Sequence, residues 1–526
     1  MKMVLNMKIK WEKKTIIKII EYILAVLAIS TMSLYLIKKA SIQNDVFFDL
    51  KTGERILKYG IDLKDHFSFI PNLIYTYHHW LYDVIFYVLY QKYDFVMIKY
   101  FYLIVFFCFG MIVFYVNKKL NKSNLVGIIL SVFVMYLASH FLQTRVQTIT
   151  YGLLLFEYYL LERIYQTGKK RYIIPLIILS ILIANLHMPI WILTLVFFLP
   201  FLAETILYYL ARLYDKKKNW EIEKPKNTKV LFLAFFLVAL TGLCTPLKFY
   251  PYTFFLKCLG NDTFTFINEM QKTQLITYDL QLYMILMIVV AAYFKLLKIK
   301  PRDFFYLVGL FLMALMARRH VAYLSIWMPI LFVKSIRWDK LKDIGKEIWE
   351  KALKWIKKWK WMSKLRRQKY IGKQEIYFLV LIIPIAFLCC TMKNHIEGFQ
   401  QKDVAFQIKV NYPYESVKYI KENLDYKNIK LHNSFNFGSY LEFYDIPVFI
   451  DSRAEVYMKE YNGGKDIIND YLKSKRYRTY KMYFNAYGFD YALVDKNDEI
   501  YKILMDDKDF ELIFQESYYA LLKRKD

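Results

Sequence analysis

The chain has 526 residues, of which 57% are hydrophobic and only 23% are charged. A soluble protein of this size could not bury so much apolar surface, so the composition excludes an ordinary soluble enzyme and indicates an integral membrane protein. The formal net charge of +28 falls mainly in short basic runs between apolar segments. That pattern is typical of cytoplasmic loops, and we therefore expect no nucleic acid partner.

The apolar runs predict a mainly α membrane protein with about eleven transmembrane helices, each long enough to span roughly 30 Å of hydrocarbon. The short apolar stretch 81–90 could not span, and we interpret it as interfacial or re-entrant. The predicted crossings are 17–38, 94–116, 124–142, 147–165, 172–187, 190–212, 229–248, 280–297, 303–318, 321–334 and 375–392.

The basic loops fix the predicted sidedness. Alternating crossings place all of them on one side, which is the cytoplasm by the positive-inside rule. We therefore expect a multi-pass protein of the plasma membrane with a cytoplasmic N-terminus. In the last of these loops Trp residues alternate with Lys and Arg, which predicts an amphipathic helix on an anionic leaflet. The basic loops are 1–16, 117–122, 166–171, 212–229, 295–302 and 334–373.

The composition changes after the last apolar run. Residues 395–526 have mixed charge, turn signals and short apolar runs, which predict a small α/β domain outside the membrane, after a transmembrane domain at 1–394 with a long external loop at 39–79. Within the small domain we predict buried strands at 447–450 and 491–494 and helices at 414–423 and 465–472.

Polar side chains gather at the predicted outer face. Ionisable groups near the membrane are costly, so each needs a partner, a wet cavity or a function. Tight external turns also need polar residues, and Arg can reach headgroups, which is the plainer explanation. However, a carboxylate can act as general base towards a hydroxyl, while Arg binds phosphate. The residues are Asp45, Asp49, His66, His78, His79, Asp83, Arg145, Gln147, Asn185, His187, Arg318, Arg319 and His320.

A basic N-terminus, one crossing and a long external loop with an early acidic residue resemble the GT-C superfamily of polyprenyl-phosphate-sugar-dependent glycosyltransferases. Seven motifs also resemble those of a bacterial group of uncharacterised glycosyltransferase-like membrane proteins. They are Asp45-Val-Phe-Phe-Asp49-Leu-Lys-Thr-Gly53, His78-His79-Trp80-Leu-Tyr-Asp83, Arg145-Val-Gln147, Ala184-Asn185-Leu-His187, Arg318-Arg319-His320, Asn436-Phe-Gly438-Ser-Tyr440 and Pro447-Val-Phe-Ile-Asp451-Ser-Arg453.

The resemblance implies a role for each group. Asp45 matches the early acidic position and would be the base, while Asp49, on the same helix face, would either support it or only solvate the loop. Many GT-C enzymes carry adjacent acids or acids one residue apart, whereas here three residues separate Asp45 from Asp49. Arg145, Arg318 and Arg319 would hold the donor phosphate. The remaining candidates for substrate binding are His79, Asp83, Gln147 and His187.

Asp451 and Arg453 admit two interpretations. They could line a substrate cleft at a strand end, or they could form a local ion pair after a turn in which Gly438 supplies backbone freedom.

The sequence thus predicts a membrane glycosyltransferase that takes sugar from a polyprenyl-phosphate-linked donor, within membrane lipid, and passes it to a glycan, lipid or protein acceptor of the cell envelope. The alternative is a non-catalytic membrane protein of envelope polysaccharide assembly or transport. No cofactor is predicted. A divalent metal has no support from the sequence, because no His, Asp, Glu or Cys spacing is that of a metal site.

Overall fold

The computed structural model describes residues 2–214, 222–258, 266–357, 373–460, 462 and 464–525. Parts of the predicted loops 212–229 and 334–373 therefore lie outside the described residues. The helices of the N-terminal three quarters of the chain are α1 Lys2–Lys39, α2 Asp45–Tyr59, α3 Trp80–Tyr93, α4 Val96–Asn121, α5 Asn124–Leu137, α6 Gln147–Thr167, α7 Ile173–Leu186, α8 Trp191–Val196, α9 Leu199–Tyr214, α10 Thr228–Leu240, α11 Tyr250–Cys258, α12 Asp279–Tyr293, α13 Pro301–Met316, α14 Val321–Ser335, α15 Trp338–Lys357 and α16 Lys373–Gln400.

Single 3-10 turns connect several of these helices and carry site residues. They span Lys170–Tyr172, Met188–Ile190, Thr241–Leu243, Asn268–Met270, Leu275–Thr277, Arg318–His320 and Ala454–Tyr457.

Long apolar helices are present as the composition requires. Three helical stretches are long and apolar enough to cross a bilayer by length and composition, namely Thr15–Lys39, Val96–Asn121 and Met188–Tyr214. Shorter apolar helices cover Asn124–Leu137, Thr228–Leu243 and Asp279–Tyr293. The number of eleven crossings stays a prediction.

The stretch 81–90 lies within α3, which packs along α2 in the first loop. The two helices meet at Gly53, where an added Cβ would lie 2.1 Å from the carbonyl oxygen of Asp83 and 2.7 Å from the Cβ of Tyr87. Because these are backbone and near-backbone atoms, they have no rotamer that would make room. Only glycine at this position lets α2 and α3 approach so closely.

A Gly53→Ala change should therefore destabilise the protein, by about 1–3 kcal/mol, the usual cost of overpacking. The measurement is the thermal unfolding midpoint of the purified protein in detergent. Gly309→Ala is the matched control, because a Cβ at Gly309 in α13 would meet nothing within 4 Å and Ala is the better helix former. An equal midpoint for the two variants would contradict the close contact.

A buried ion network joins the helices at the end where the basic loops lie. The Arg302 guanidinium is fully buried and donates to Glu162 at 2.7 and 2.9 Å, to Glu204 at 2.7 Å and to Glu223 at 2.8 Å. Lys334 lies 3.2 Å from the same Glu162 carboxylate. Since buried charges are costly unless paired, this network fixes α6, α9, α13 and α14 relative to one another. We call this end of the helices the basic end.

The C-terminal region forms a four-stranded sheet in the order β1-β2-β4-β3 with helices around it. The β1 strand runs parallel to β2, and β4 runs antiparallel to both β2 and β3. The elements are α17 Val404–Asn411, α18 Tyr414–Asn423, β1 Leu431–Asn433, α19 Gly438–Phe443, α20 Ile467–Ser474, α21 Tyr480–Tyr487, β2 Tyr491–Asp495, α22 Glu499–Asp506, β3 Phe510–Gln515 and β4 Tyr519–Arg524.

The predictions for this region are met in part. The strand at 491–494 and the helix at 414–423 are confirmed, and the helix predicted at 465–472 is shifted to Ile467–Ser474. The strand predicted at 447–450 is wrong. Val448 instead forms an isolated parallel bridge with Ser68 of the first loop, and the short strand β1, which the sequence analysis missed, takes the place beside β2.

The C-terminal region packs directly on the first loop. Tyr412 donates to the backbone oxygen of Ile42 at 3.1 Å, and Asn44 donates to that of Phe435 at 3.2 Å. The backbone NH of Val448 donates to the carbonyl oxygen of Phe67 at 3.1 Å. The region and the loop together therefore cover the helix ends opposite the basic end. We call these helix ends the site end, because the predicted site residues lie there.

Candidate functional site

The site is built around Asp45, the first residue of α2. A carboxylate is favoured at a helix N-terminus by the free backbone NH groups there. The guanidinium of Arg145, in the turn before α6, lies with Nε 3.0 Å from Asp45 Oδ2. About a fifth of each of these two side chains is exposed. The predicted base and one predicted phosphate ligand, 100 residues apart in the chain, thus meet at one place.

Glu269 completes this group from the 3-10 turn Asn268–Met270. Arg145 Nη1 donates to both carboxylate oxygens of Glu269 at 2.8 Å, and Nη2 donates to the Gln43 side chain at 3.1 Å. The Glu269 side chain is 52% exposed. The sequence analysis did not select Glu269, because an acidic residue in a polar loop has no distinguishing pattern. Its sole signal was an acid in the same predicted external layer as the three arginines.

Arg318 and Arg319 occupy the 3-10 turn between α13 and α14 and differ in their partners. The Arg318 side chain donates to the side chain of Asn268, next to Glu269. Arg319 is exposed and forms no ion pair with any residue that the structure describes. It lies within electrostatic range of Tyr151 and His187, and Tyr151 is also within range of Arg145 and Glu269. Arg319 is therefore an unneutralised cation at the same end of the helices as Asp45, Arg145 and Glu269.

His187 and Gln147 lie between the helices at the same end. His187 Nδ1 is 3.2 Å from the hydroxyl of Thr150, and its ring meets that of His79 edge to face at 4.8 Å. Gln147 is the first residue of α6, and its side-chain oxygen is buried without a hydrogen-bond partner among the described residues. The structure thus places His187 against His79, and Gln147 begins the helix that follows the Arg145 turn.

Asp49, His79 and Asp83 form a second, deeper cluster between α2 and α3. Their possible metal-ligand atoms all lie within 4.8 Å of one another, and His79 Nδ1 is 3.6 Å from Asp49 Oδ1. Asp49 is one helical turn beyond Asp45 and is buried against His79. These three residues could hold a metal ion. The chain spacing did not indicate this set, because its members come from two helices and the turn between them.

The cluster is electrostatically unusual. Burial raises the pKa of Asp49 well above its ordinary value, and repulsion from Asp83 and Asp45 adds to the rise. Burial likewise raises the pKa of Asp83 to about 7. Four of its atoms, Asp49 Oδ1, His79 Nδ1 and both carboxylate oxygens of Asp83, are buried and receive no hydrogen bond from an N–H or O–H group in the described part of the chain, although the Asp49 and Asp83 carboxyls are close enough to share a proton. Each such atom costs about 1–3 kcal/mol, so the group needs a compensating partner.

Asp451 and Arg453 are fully buried and lie in the C-terminal region. Arg453 donates to Asp451 at 2.5 and 3.0 Å, to Glu442 at 2.7 Å and to Asp65 of the first loop at 2.6 Å. Burial would raise the pKa of Asp451, but the Arg453 guanidinium outweighs burial and lowers it. Of the two interpretations from sequence, the structure has the ion pair.

The motif before this pair has a different reason for its glycine. Gly438 begins α19, and a Cβ there would lie 2.1 Å from the carbonyl oxygen of Ile450 and 2.8 Å from the Cα of Asp451. Its backbone is not among those with positive φ, so the interpretation of Gly438 as a source of backbone freedom is wrong. The glycine is needed because the two chain segments touch.

Glu455 makes a further contact between the C-terminal region and the first loop. Its carboxylate lies 3.2 Å from Nδ1 of His78, the neighbour of the cluster residue His79. Attraction to Glu455 outweighs burial and raises the pKa of His78. The C-terminal region therefore supports the first loop directly behind the deeper cluster.

Comparison with known proteins gives the fold a context. No protein-family model and no curated protein sequence matches the chain. The structure of ArnT from Cupriavidus metallidurans bound to undecaprenyl phosphate matches with a TM-score of 0.50 and 10% identity, over 95% of this chain and 97% of that one.

Two structures of the oligosaccharyltransferase from Archaeoglobus fulgidus match similarly. The AglB complex with an inhibitory peptide and a dolichol-phosphate has a TM-score of 0.50 and 11% identity, over 89% of this chain and 69% of that one. The form tethered to an acceptor peptide has a TM-score of 0.50 and 10% identity over the same shares. ArnT and AglB are both GT-C glycosyltransferases. The chain therefore has a GT-C-like fold, as the sequence motifs predicted.

Proposed function

We propose that this protein is a membrane glycosyltransferase that moves a sugar from a polyprenyl-phosphate-linked donor to an acceptor hydroxyl of the cell envelope, at the outer face of the membrane. One observation carries the proposal: Asp45, Arg145, Glu269 and the unpaired Arg319 converge at one end of a GT-C-like helical bundle. The presence of undecaprenyl phosphate and dolichol-phosphate in structures of similar fold supports the class of donor.

Asp45 is the general base in this proposal. Its carboxylate is partly exposed at the N-terminus of α2, and the Arg145 contact fixes its orientation. The acceptor oxygen attacks the anomeric carbon, and Asp45 accepts the proton from that oxygen. The bond from sugar to phosphate breaks, and the polyprenyl phosphate leaves with the bonding electrons. A positioned base of this kind contributes about 10²–10⁴ in rate.

Arg319 is the donor-phosphate ligand in this proposal. The guanidinium of Arg145 is already bound by Asp45, Glu269 and Gln43, and Arg318 is bound by Asn268. Charge develops on the leaving phosphate during transfer, and Arg319, to which the described residues offer neither an ion pair nor a hydrogen bond, is the guanidinium free to stabilise that charge. The sequence did not distinguish Arg145, Arg318 and Arg319, whereas the contacts of each side chain do.

An Arg319→Gln change is expected to lower transfer by about 100-fold, the usual loss when one charge-stabilising donor is removed. The measurement is release of polyprenyl phosphate from a panel of polyprenyl-phosphate sugars added to membranes that contain the protein. Arg319→Lys should recover part of the rate, because it keeps the charge but not the two-pronged geometry.

Arg212→Gln is the matched control, since Arg212 is an exposed arginine near the end of α9 that forms no ion pair with an acid among the described residues. The control should transfer at the normal rate. A normal rate for Arg319→Gln as well would remove Arg319 from the mechanism, and no release by any variant or by the unaltered protein would argue for the non-catalytic alternative.

A further inference from the structure

The deeper cluster of Asp49, His79 and Asp83 has the features of a ligand-binding site. Asp49, His79 and Asp83 are at most 7% exposed, so bulk water does not satisfy them. Both carboxylate oxygens of Asp83, Oδ1 of Asp49 and Nδ1 of His79 receive no hydrogen bond from an N–H or O–H group of the described residues. Each of the three side chains offers an electron-pair donor atom, and these atoms lie within 4.8 Å of one another. Two carboxylates and an imidazole around a common centre are the donors of a metal site.

We propose that Asp49, His79 and Asp83 bind one divalent transition-metal ion, of the class of Zn²⁺ or Mn²⁺. Bonds of about 2.1 Å at a tetrahedral angle place ligand atoms about 3.4 Å apart, and the distance from His79 Nδ1 to Asp49 Oδ1 is 3.6 Å. The imidazole argues against Ca²⁺ and Mg²⁺, which take oxygen ligands. It is the only group of three or more such side chains in the described ranges.

The ion would act on the position of Asp45. Asp49 belongs to α2 and lies one turn after Asp45, while Asp83 belongs to α3. A metal bridge between them would fix the start of α2 against α3, beside the close contact at Gly53. Asp49, His79 and Asp83 are positioning residues here. This consequence rests on the proposed function, whereas the binding of the ion does not.

The test is metal content together with unfolding temperature. The full-length protein in detergent is treated with a chelator, returned to Zn²⁺ or Mn²⁺, freed of excess metal and analysed by elemental mass spectrometry. We expect one ion per chain and a higher unfolding midpoint with metal. The Asp49→Asn/Asp83→Asn variant keeps the side-chain shapes and should bind at least about 10-fold more weakly, with a midpoint that no longer responds to metal.

Glu54→Gln is the control, because Glu54 lies on α2 but pairs with Lys51 and Lys58 outside the cluster. It should bind one ion as the unaltered protein does. If the unaltered protein binds no ion, the proposal is overturned, and a proton shared by Asp49 and Asp83 becomes the explanation of the cluster. Metal binding without sugar transfer would leave this site intact and count against the proposed function alone.

A separate groove at the basic end carries an independent proposal. It lies between the ends of α4 and α6 and the start of α7 and has a volume of about 550 Å³. Arg163 is sixteen residues beyond Gln147 on α6, about 24 Å along the helix axis, so the groove is remote from the Asp45 group. Its lining combines aromatic side chains with three cations, namely Tyr115, Phe156, Tyr159, Tyr172, Lys119, Arg163 and Arg171.

The three cations of the groove are not neutralised. Lys119, Arg163 and Arg171 form no ion pair with any acid in the described part of the chain. Arg163 and Arg171 instead donate to the same Tyr172 hydroxyl at 3.5 and 3.0 Å. The nearby Arg302 has three carboxylate partners. The cations of this groove therefore have no acidic partner, although Glu162, the residue before Arg163, is paired with Arg302 and Lys334.

The geometry points to an anionic phospholipid as the occupant. Guanidinium groups bind phosphate oxygens through charge-assisted hydrogen bonds, and aromatic residues suit the boundary between headgroups and acyl chains. The cytoplasmic leaflet, where the basic loops are predicted to lie, carries the anionic lipids. Phe156 and Leu160 lie along α6 from the cations towards the middle of the helix, where an acyl chain would run.

Phosphatidylglycerol added to the detergent-solubilised protein should raise its unfolding midpoint, whereas phosphatidylcholine and inorganic phosphate should not. The variant Lys119→Gln/Arg163→Gln/Arg171→Gln should lose this response. The control Lys122→Gln/Lys169→Gln/Lys170→Gln removes three exposed cations of the same surface and should keep it. An equal loss in both variants, or an equal response to free phosphate, would show general charge attraction and overturn the proposed lipid site.

Discussion

Replacing Asp45 with Asn is expected to abolish sugar transfer while leaving the amount of protein in the membrane unchanged. The amide has nearly the shape of the carboxylate but cannot accept the proton, so we expect a loss of about 10²–10⁴ in rate. Arg145 keeps its contacts with Glu269 and Gln43, and the change therefore creates no unpaired buried charge. Release of polyprenyl phosphate in membranes measures the rate, and immunodetection measures the amount of protein.

Glu269→Gln is the informative control for this prediction. It weakens the opposite side of the same guanidinium but leaves the carboxylate of Asp45 in place. We expect this variant to keep most of its activity. Equal losses in both variants would show that the ion pairs, rather than proton transfer by Asp45, limit the rate, and a fully active Asp45→Asn variant would exclude Asp45 as the base.

Replacing Arg453 with Leu is expected to give the largest loss of stability, about 3–5 kcal/mol, the usual cost of removing one partner from a buried ion network. The change would leave the carboxylates of Asp65, Glu442 and Asp451 together and buried without their cation. The unfolding midpoint of the purified protein in detergent measures the loss. Arg478→Leu removes an exposed arginine of the same region and should have little effect.

The loss should depend on pH in a direction that the network fixes. In the unaltered protein Arg453 holds the pKa of Asp451 below its ordinary value, so this carboxylate contributes stability above about pH 4 that is lost on further acidification. In Arg453→Leu the three carboxylates have lost their cation, so protonation lowers the cost of burying them. The difference in midpoint between the two proteins should therefore shrink as the pH falls, and a difference that grows would contradict the assignment.

Features with a local cause were predictable from the sequence. The helix α18 was found at its true bounds because its apolar residues recur at helical spacing within ten residues. The meeting of Asp45 with Arg145 followed from sidedness, since both lie in turns on one side of the predicted membrane. The first inference needed only the sequence of the helix itself, and the second needed the order of apolar runs and basic loops along the chain.

Features that depend on contacts between distant segments were not predictable. Residues 447–450 were taken for a strand of the sheet because they are apolar, whereas the partner of Val448 is Ser68, 380 residues earlier. The grouping of Asp49 with His79 and Asp83 depends on how closely α2 approaches α3. No pattern within one segment contains that information. The same reason hid the contact of Arg318 with Asn268 and the lack of such a contact for Arg319 among the described residues.

The buried ion pairs of Arg453 restrict how a bulky lipid-linked sugar could reach Asp45. Separating the C-terminal region from the first loop would remove Asp65 from the buried Arg453 guanidinium and break the backbone hydrogen bond from Val448 to Phe67, so these two parts are held together firmly. The turn that carries Glu269 is held far more loosely, because the Glu269 side chain is half exposed and a surface ion pair of this kind is worth only about 0.2–1 kcal/mol. In the proposed mechanism, a lipid-linked sugar would therefore meet the least resistance on the side of Asp45 that carries Glu269.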